Sequence, residues 1–191
     1  MTIDLADPIA LLLAAASSMK RAGIRAAAYG GLTLGMYGEP RETRDADLAV
    51  AGGSAEAARD ALAAMGVTAV VAFAGVVFGG NAVTRLTLVG GSVHNTVDLV
   101  QPRSARFAET VLDRALTGSL RGTEITVVTP EDFVLMKILS TRPRDLEDAQ
   151  SVIDTLGARL DRALLRDEAQ QLSDELADHD VLSRFGSLRN L

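Results

Sequence analysis

Apolar positions change period several times along this chain, and each change marks an element. After Asp7-Pro8, residues Ile9, Leu12, Leu13, Ala16 and Met19 recur at helical spacing until Gly23. Asp as N-cap and Pro in the first turn open a helix there. Ile24–Tyr29 reads as a short strand that delivers the chain to Gly30-Gly31. Leu32–Tyr37 reads as helix, broken by Gly38-Glu39-Pro40. Asp45–Val50 alternates as a strand does, with Ala46, Leu48 and Val50 on one face and Asp45 and Asp47 on the other. Ser54 caps a helix to Met65, and Val67–Phe73 is an apolar strand. The stretch Gly75–Asn81 is glycine-rich and unassigned, and Gly79-Gly80-Asn81 within it is open between a turn joining two strands and a mobile loop beside a substrate. Val83–Val89 and Ser92–Val100 flank Gly90-Gly91, a hairpin signal. Phe107–Leu116 reads as helix and Ile125–Val128 as a short strand. Thr129-Pro130-Glu131-Asp132 opens another helix, with Thr as N-cap, Pro at the first position and acids in the first turn. Pro143 breaks that helix and starts the next, which runs to about Leu156; Arg159–Asp178 is a last amphipathic helix.

The order αβαβαβββαβ, then helices, predicts an α+β fold: a mixed β-sheet flanked by helices, with a C-terminal helical part. Residues 1–128 form the α/β core and residues 129–191 the helical part packed on it, as one compact unit. No repeat and no linker interrupts the 191 residues.

Composition removes several classes of function. There is no cysteine, so disulfides, thiol catalysis and Cys-zinc sites are excluded. Two histidines, His94 and His179, leave little for a multi-His metal site. Aromatics make up 4%, which argues against stacking platforms for nucleic acid. The net charge of −6 is unlike that of a coat for nucleic acid, although a local basic groove is compatible with it. The apolar run Ile9–Ala16 is too short to span a membrane, and Asp4 and Asp7 precede it where a secretory leader is basic. The expectation is a soluble, cytoplasmic protein.

Candidate chemistry concentrates between Gly30 and Leu48. Two adjacent glycines between a strand and a helix let backbone N–H groups approach a phosphate. Asp45 and Asp47, two residues apart, lie about 7 Å apart along one strand face. Phosphoryl and nucleotidyl transfer need charge neutralisation and alignment more than covalent help, and carboxylates at this spacing suit Mg²⁺ or Mn²⁺ held together with substrate oxygens. Asp98, flanked by core-facing Val97 and Leu99, is the best third carboxylate and the nearest group to help deprotonate an attacking hydroxyl. Arg41 and Arg44 flank the acids and can balance triphosphate charge, or pair with Glu39, Glu42 or the aspartates. Lys137 is a cation on an apolar helix, and Arg144 and Asp148 stand at i,i+4. Taken singly, the glycine pair reads as a tight turn and the Asp-x-Asp as a solvated strand end. The spacing is neither a P-loop nor a dinucleotide-binding fingerprint, and the Ser and Thr residues lack a His/Asp set for a hydrolase triad.

The combination is more specific. Tyr29-Gly30-Gly31-Leu32-Thr33-Leu34, then Gly38-x-Pro40-Arg41-x-Thr43-x-Asp45-x-Asp47-Leu48, resembles the N-terminal motif of the DNA polymerase β-like nucleotidyltransferase superfamily, and within it the AbiEii/AbiGii toxin-type branch. Pro130-Glu131-Asp132, Lys137-Ile138-Leu139 and Arg142-x-Arg144-Asp145-x-x-Asp148 are similar to the helical block of that branch. The resemblance covers residues 24–155. It implies metal binding by Asp45 and Asp47, a phosphate-facing loop at Gly30 and Gly31, and nucleotide contacts from Thr33, Arg41, Thr43, Lys137 and Arg144. Asp145 would support the site from the helical part. Leu32 departs from the Thr or Ser that often follows the glycine pair, and Thr33 is the nearest replacement. The activity implied is metal-dependent transfer of an NMP from an NTP to a hydroxyl, with pyrophosphate released. The acceptor would be RNA (tRNA included), a protein or a small molecule, in a toxin paired with a cognate antitoxin. The alternatives are an aminoglycoside-type transferase, which an acidic cleft would favour, and an inactive nucleotide-binding or antitoxin-like module.

Overall fold

A computed structural model describes residues 3–191; the first two residues of the expected 1–128 core lie outside the described residues. Helix α1 (Pro8–Arg21) begins where Asp7 accepts hydrogen bonds from the Ile9 and Ala10 N–H groups. It leads into strand β1 (Ala26–Tyr29), the single turn α2 (Gly31–Leu34), strand β2 (Ala46–Val50) and helix α3 (Ala55–Ala63). Ser54 caps α3 through the Ala57 N–H. Strands β3 (Thr68–Phe78), β4 (Asn81–Gly90) and β5 (Val93–Pro102) form a long antiparallel meander. Helix α4 (Ala105–Arg114), strands β6 (Leu116–Leu120) and β7 (Thr123–Val127), and helices α5 (Pro130–Ile138), α6 (Pro143–Leu156), α7 (Arg162–Glu175) and α8 (Val181–Gly186) complete the chain.

The seven strands lie in the order β3-β4-β5-β2-β1-β7-β6. β2 runs parallel to β5 and β1 runs parallel to β7, while the other neighbours are antiparallel, so the sheet is mixed as expected. Its two faces have separate cores. Ala46, Leu48, Val50, Val97 and Leu99 pack with α1 and α3. Ala27, Tyr29, Ala49 and Val100 pack with α4 and with the C-terminal helices, through residues such as Phe133, Val152 and Leu165. Burying such side chains, at about 1.5–3 kcal/mol each, holds the helical part onto the sheet.

Several boundaries differ from expectation. Strand β3 continues through the glycine-rich stretch to Phe78, with register shifts on either side of Phe73, so Gly79-Gly80 is the turn between β3 and β4. That turn is tied down by the Gly80 N–H, which donates to the Leu139 carbonyl at 2.7 Å. The helix expected to end at Leu116 stops at Arg114, and Leu116–Leu120 pairs with β7 as an edge strand. α2 is one turn rather than a helix to Tyr37, and α8 was not expected. Among the described residues no helix is long and apolar enough to cross a membrane.

Candidate active site

Strand register brings the acids together. Asp47 on β2 stands opposite Asp98 on β5 and opposite Tyr29 on β1. Paired residues of neighbouring strands point to the same side, so Asp47 and Asp98 share the sheet face that the C-terminal helices cover, and Asp45 precedes them at the strand end. Tyr29, Gly30, Thr43, Asp45, Asp47 and Asp98 line one cleft of about 580 Å³, within the usual range for ligand sites. Lys137, Arg142, Arg144 and Asp145 form its opposite wall, with Arg41 and Arg44 at the entrance loop.

The glycine pair makes this geometry possible. Gly30 has φ +79°, and a Cβ there would sit 2.0 Å from Asp47 Oδ2. A Cβ on Gly31 would meet Thr43 Cβ and an Arg41 terminal nitrogen at 3.0 Å. The turn and the strand of acids are therefore packed backbone to side chain. Gly31 and Thr33 are both buried. Thr33, expected as the stand-in for a phosphate-facing hydroxyl, is placed otherwise: its Oγ1 donates to the Gly30 carbonyl at 3.0 Å and braces the turn from within.

The carboxylates fall into two sets. On the helical wall, Lys137 is 1% exposed. Its Nζ donates to Asp145 at 2.6 Å and to Asp148 at 2.8 Å, and it lies 5.4 Å from the ring centres of Tyr29 and Phe133. Arg41 grips both oxygens of Asp148 at 2.8 Å. Arg142 and the Ser140 hydroxyl donate to Asp145. Burial alone would raise both aspartates. For Asp145 the Lys137 charge and the hydrogen bonds from Lys137, Ser140 and Arg142 outweigh it, and for Asp148 the Arg41 and Lys137 contacts do, so both sit below the usual carboxylate range. The i,i+4 pairing of Arg144 with Asp148 does not form. Asp148 is taken by Arg41 and Lys137, and Arg144 is exposed on the cleft wall without an ion pair among the described residues. Arg44 is likewise exposed on the cleft and unpaired.

On the sheet wall the balance is reversed. Burial, then the neighbouring Asp98 charge, push the Asp47 carboxyl up to about 7, and no protein hydrogen bond reaches it among the described residues. Asp98 is in the expected place but in unexpected company. Arg85, its register partner on β4, clamps both its oxygens at 2.8 and 2.6 Å and approaches Asp45 at 3.6 Å. The Asp98 hydrogen bonds raise the Arg85 guanidinium further above its ordinary value. Arg85 escaped the sequence reading, yet its signal was present. Counting outward from the two-residue turn Gly91-Ser92, Gly90 meets Val93, and each further step keeps partners equidistant until Arg85 falls opposite Asp98.

Among the described residues no three His, Cys, Asp or Glu side chains stand together as a ready metal cage. Mg²⁺ does not require one, because it is commonly bound by one or two carboxylates plus substrate phosphates. Asp45 and Asp47 fit that donor set: both are hard oxygen ligands at the cleft surface, and Asp47 lacks any compensating donor.

Solved structures share the fold. The antibiotic-resistance factor ANT(2'')-Ia superposes with a TM-score of 0.54 at 13% identity, covering 90% of this chain and 97% of its own. A protein from H. pylori described as a nucleotidyltransferase gives 0.51 at 13% identity, covering 86% and 77%. JHP933 from Helicobacter pylori gives 0.50 at 15% identity, covering 95% and 80%. At such identities the likeness is one of fold. No curated protein matches the chain. A family model spans residues 9–184, nearly the whole sequence, and the chain therefore belongs to the family described as nucleotidyl transferase of unknown function, DUF2204.

Proposed function

We propose that the protein transfers a nucleoside monophosphate from an NTP to a hydroxyl, releasing pyrophosphate, and that Asp45 and Asp47 hold the divalent ion this requires. The observation that carries the reading is Asp47, which no protein hydrogen bond reaches among the described residues and whose rise the Lys137 and Arg142 charges offset only in part. It is a carboxylate pressed against a glycine turn, raised to about 7 by burial and by Asp98, in a cleft that also exposes two unpaired arginines. A half-buried carboxylate that no donor reaches among the described residues is costly to ionise, and bound Mg²⁺ or Mn²⁺ would offset that cost while neutralising phosphate charge. In the transfer the acceptor oxygen forms a bond to the α-phosphorus, the bond from that phosphorus to the β-phosphate bridging oxygen breaks, and the hydroxyl proton is lost to a carboxylate or to solvent. Arg44 and Arg144 offer the charge to hold the leaving pyrophosphate. The Lys137–Asp145–Asp148–Arg41 network keeps the helical wall and the entrance loop in place. Asp98 enters as an ion-paired carboxylate that raises Asp47 and anchors Arg85.

The cleft carries cations and carboxylates in equal number, five each, which does not favour a polycationic acceptor such as an aminoglycoside despite the ANT(2'')-Ia fold. The motif resemblance to the toxin-type branch extends the proposal to a toxin of a toxin–antitoxin pair acting on RNA. The test uses each NTP labelled in turn at the α- and γ-phosphate, with Mg²⁺ or Mn²⁺ and with total RNA, protein or aminoglycosides as acceptor. Label reaching an acceptor from the α- but not the γ-position, and lost with Asp47→Asn, is expected. No α-label on any acceptor rejects the transfer, and label surviving Asp47→Asn rejects the site.

A further inference from the structure

A second, smaller hollow opens on the other side of the same two carboxylates. Tyr29, Asp47, Asp98 and Arg142 line both it and the main cleft; Asn81, Arg85 and Ser140 add polar groups, and Phe73, Phe78, Val83 and Val100 form an apolar part of its wall. These four come from β3, β4 and β5, where Phe73 stands opposite Arg85 and Val83 opposite Val100. Phe73 and Phe78 lie 6.4 Å apart and tilted, and the Arg85 guanidinium covers the Phe73 ring at 5.7 Å. Phe78 is 42% exposed at the rim. Two of the chain's five phenylalanines stand here.

One wall atom has no partner. Asn81 is 3% exposed, and its Nδ2 donates to the Met136 carbonyl at 3.0 Å, while its Oδ1 accepts nothing. Buried acceptors are nearly always satisfied, so the unpaired Oδ1 of this lining residue is a candidate partner for a ligand's N–H or O–H. The volume, about 190 Å³, limits the occupant to one ring system; an apolar cavity of about 150 Å³ holds a benzene. A multi-ring aminoglycoside is too large and too polar.

In-line displacement places the attacking oxygen opposite the leaving group. The exposed arginines that can hold pyrophosphate, Arg44 and Arg144, line the main cleft and not the hollow. If those two hold the pyrophosphate, the attacking hydroxyl comes from the side of the hollow, where Arg142, which lines both spaces, is bonded to Asp145 and Arg85 to Asp98. Residues 81 and 85 are four apart on one strand, about 13 Å, so a ligand that satisfies Asn81 and still presents a hydroxyl at Asp98 must be longer than a phenol ring. A base joined to its sugar has that length. We propose that this hollow is the acceptor pocket, that it takes a single nucleobase between Phe73, Phe78 and Val83, and that Asn81 Oδ1 accepts a hydrogen bond from the base's N–H edge while the sugar hydroxyl reaches the carboxylates.

The inference rests on the nucleotidyl-transfer reading, and its test separates the two. Adenosine, cytidine, guanosine and uridine are each titrated onto the full chain with ligand-observed NMR, which needs no turnover, and Mg²⁺–NTP binding is measured alongside. Saturation transfer to base protons is expected for at least one nucleoside. Val83→Trp, which fills the hollow, and Asn81→Leu, which removes the acceptor atom, are expected to weaken it about tenfold or more and to leave NTP affinity unchanged. Val83→Trp keeps the Asn81–Met136 bond, so it stands if Asn81→Leu folds poorly. In turnover, Val83→Trp raises the KM of the nucleoside acceptor. A short oligoribonucleotide run in parallel with the free nucleosides tells a polymer end from a small molecule. Absence of nucleoside binding overturns the pocket. So does loss of NTP affinity in Val83→Trp, which would place the NTP's own base there, or efficient label transfer to tyrosinamide that Val83→Trp leaves intact. Nucleoside binding without any transfer upholds the pocket and rejects the transfer reading.

Discussion

Asp145 and Asp148 on α6 are met by Lys137, Arg41, Arg142 and the Ser140 hydroxyl, and both are held below the usual carboxylate range. On the facing sheet Arg85 clamps Asp98 and approaches Asp45, no protein hydrogen bond reaches Asp47 among the described residues, and Asp47 rises to about 7. The residue type is the same and the cleft is the same; the difference lies in how many donors the fold brings to each. The first group is complete within the protein and reads as framework. The second is incomplete, and what would complete it is a cation arriving with substrate. Perturbed carboxylates of both directions facing one another across a cleft are a recognised mark of a functional site.

The comparison is broken most severely from the framework side. Lys137→Met leaves two buried carboxylates short of a cation, and a loss of about 3–5 kcal/mol is expected, read as a lower denaturant midpoint. Lys137→Met combined with Asp145→Asn is expected to lose less than the single variant; a double variant that loses more would show that the network is not what the charge serves. Next comes the turn that joins the two walls. Gly30→Ala places a side chain at φ +79° and drives it into Asp47. A cost of about 1–3 kcal/mol is expected from the backbone, together with loss of transfer, whereas wild-type activity and midpoint would show that the close approach is dispensable.

Asp47→Asn moves in the opposite direction. Because the folded carboxyl titrates near 7 and the unfolded one near 3.8, the folded state binds the extra proton across that window, so this group's contribution to stability falls as pH rises from about 4 to 7. Asparagine cannot ionise. The variant is therefore expected to melt a few degrees above wild type, about 2–4 °C, at pH 8, with the gap narrowing as pH falls through that window, while transfer is lost. A melting difference that does not vary with pH contradicts the assigned strain. The smallest expected effect on folding is that of Arg144→Ala, an exposed and unpaired site. Its midpoint should stay within about 0.5 kcal/mol of wild type while the NTP KM rises; an unchanged KM removes Arg144 from the phosphate side.

Much of the sheet was legible because its strands alternate and its helices are capped. Asp7, Ser54 and Thr129 cap where their positions suggested, and Val97 and Leu99 turn inward around Asp98. Strand β6 was not legible: Leu116–Leu120 follows α4 with no breaker and lies at a sheet edge, where exposed and half-exposed residues give no apolar alternation. The place of Asp98 was readable from its flanks, but its clamp by Arg85 depends on the pairing of β4 with β5. Similarly, Arg41 finds Asp148 across 107 positions of chain, a contact made by folding that no local spacing encodes. Thr33 shows the limit of motif reasoning, since a hydroxyl in the right segment turns inward to brace Gly30.

The most direct measurement is the titration of the Asp47 side-chain carboxyl by carbon-detected NMR, in the free protein and with Mg²⁺ and a non-reactive NTP analogue. A midpoint near 7 in the free protein is expected, falling by about one unit or more once cation and nucleotide are present. An ordinary midpoint near 3.8 in the free protein, or one near 7 that cation and nucleotide leave unmoved, would contradict the claim that Asp47 is the incomplete half of the site.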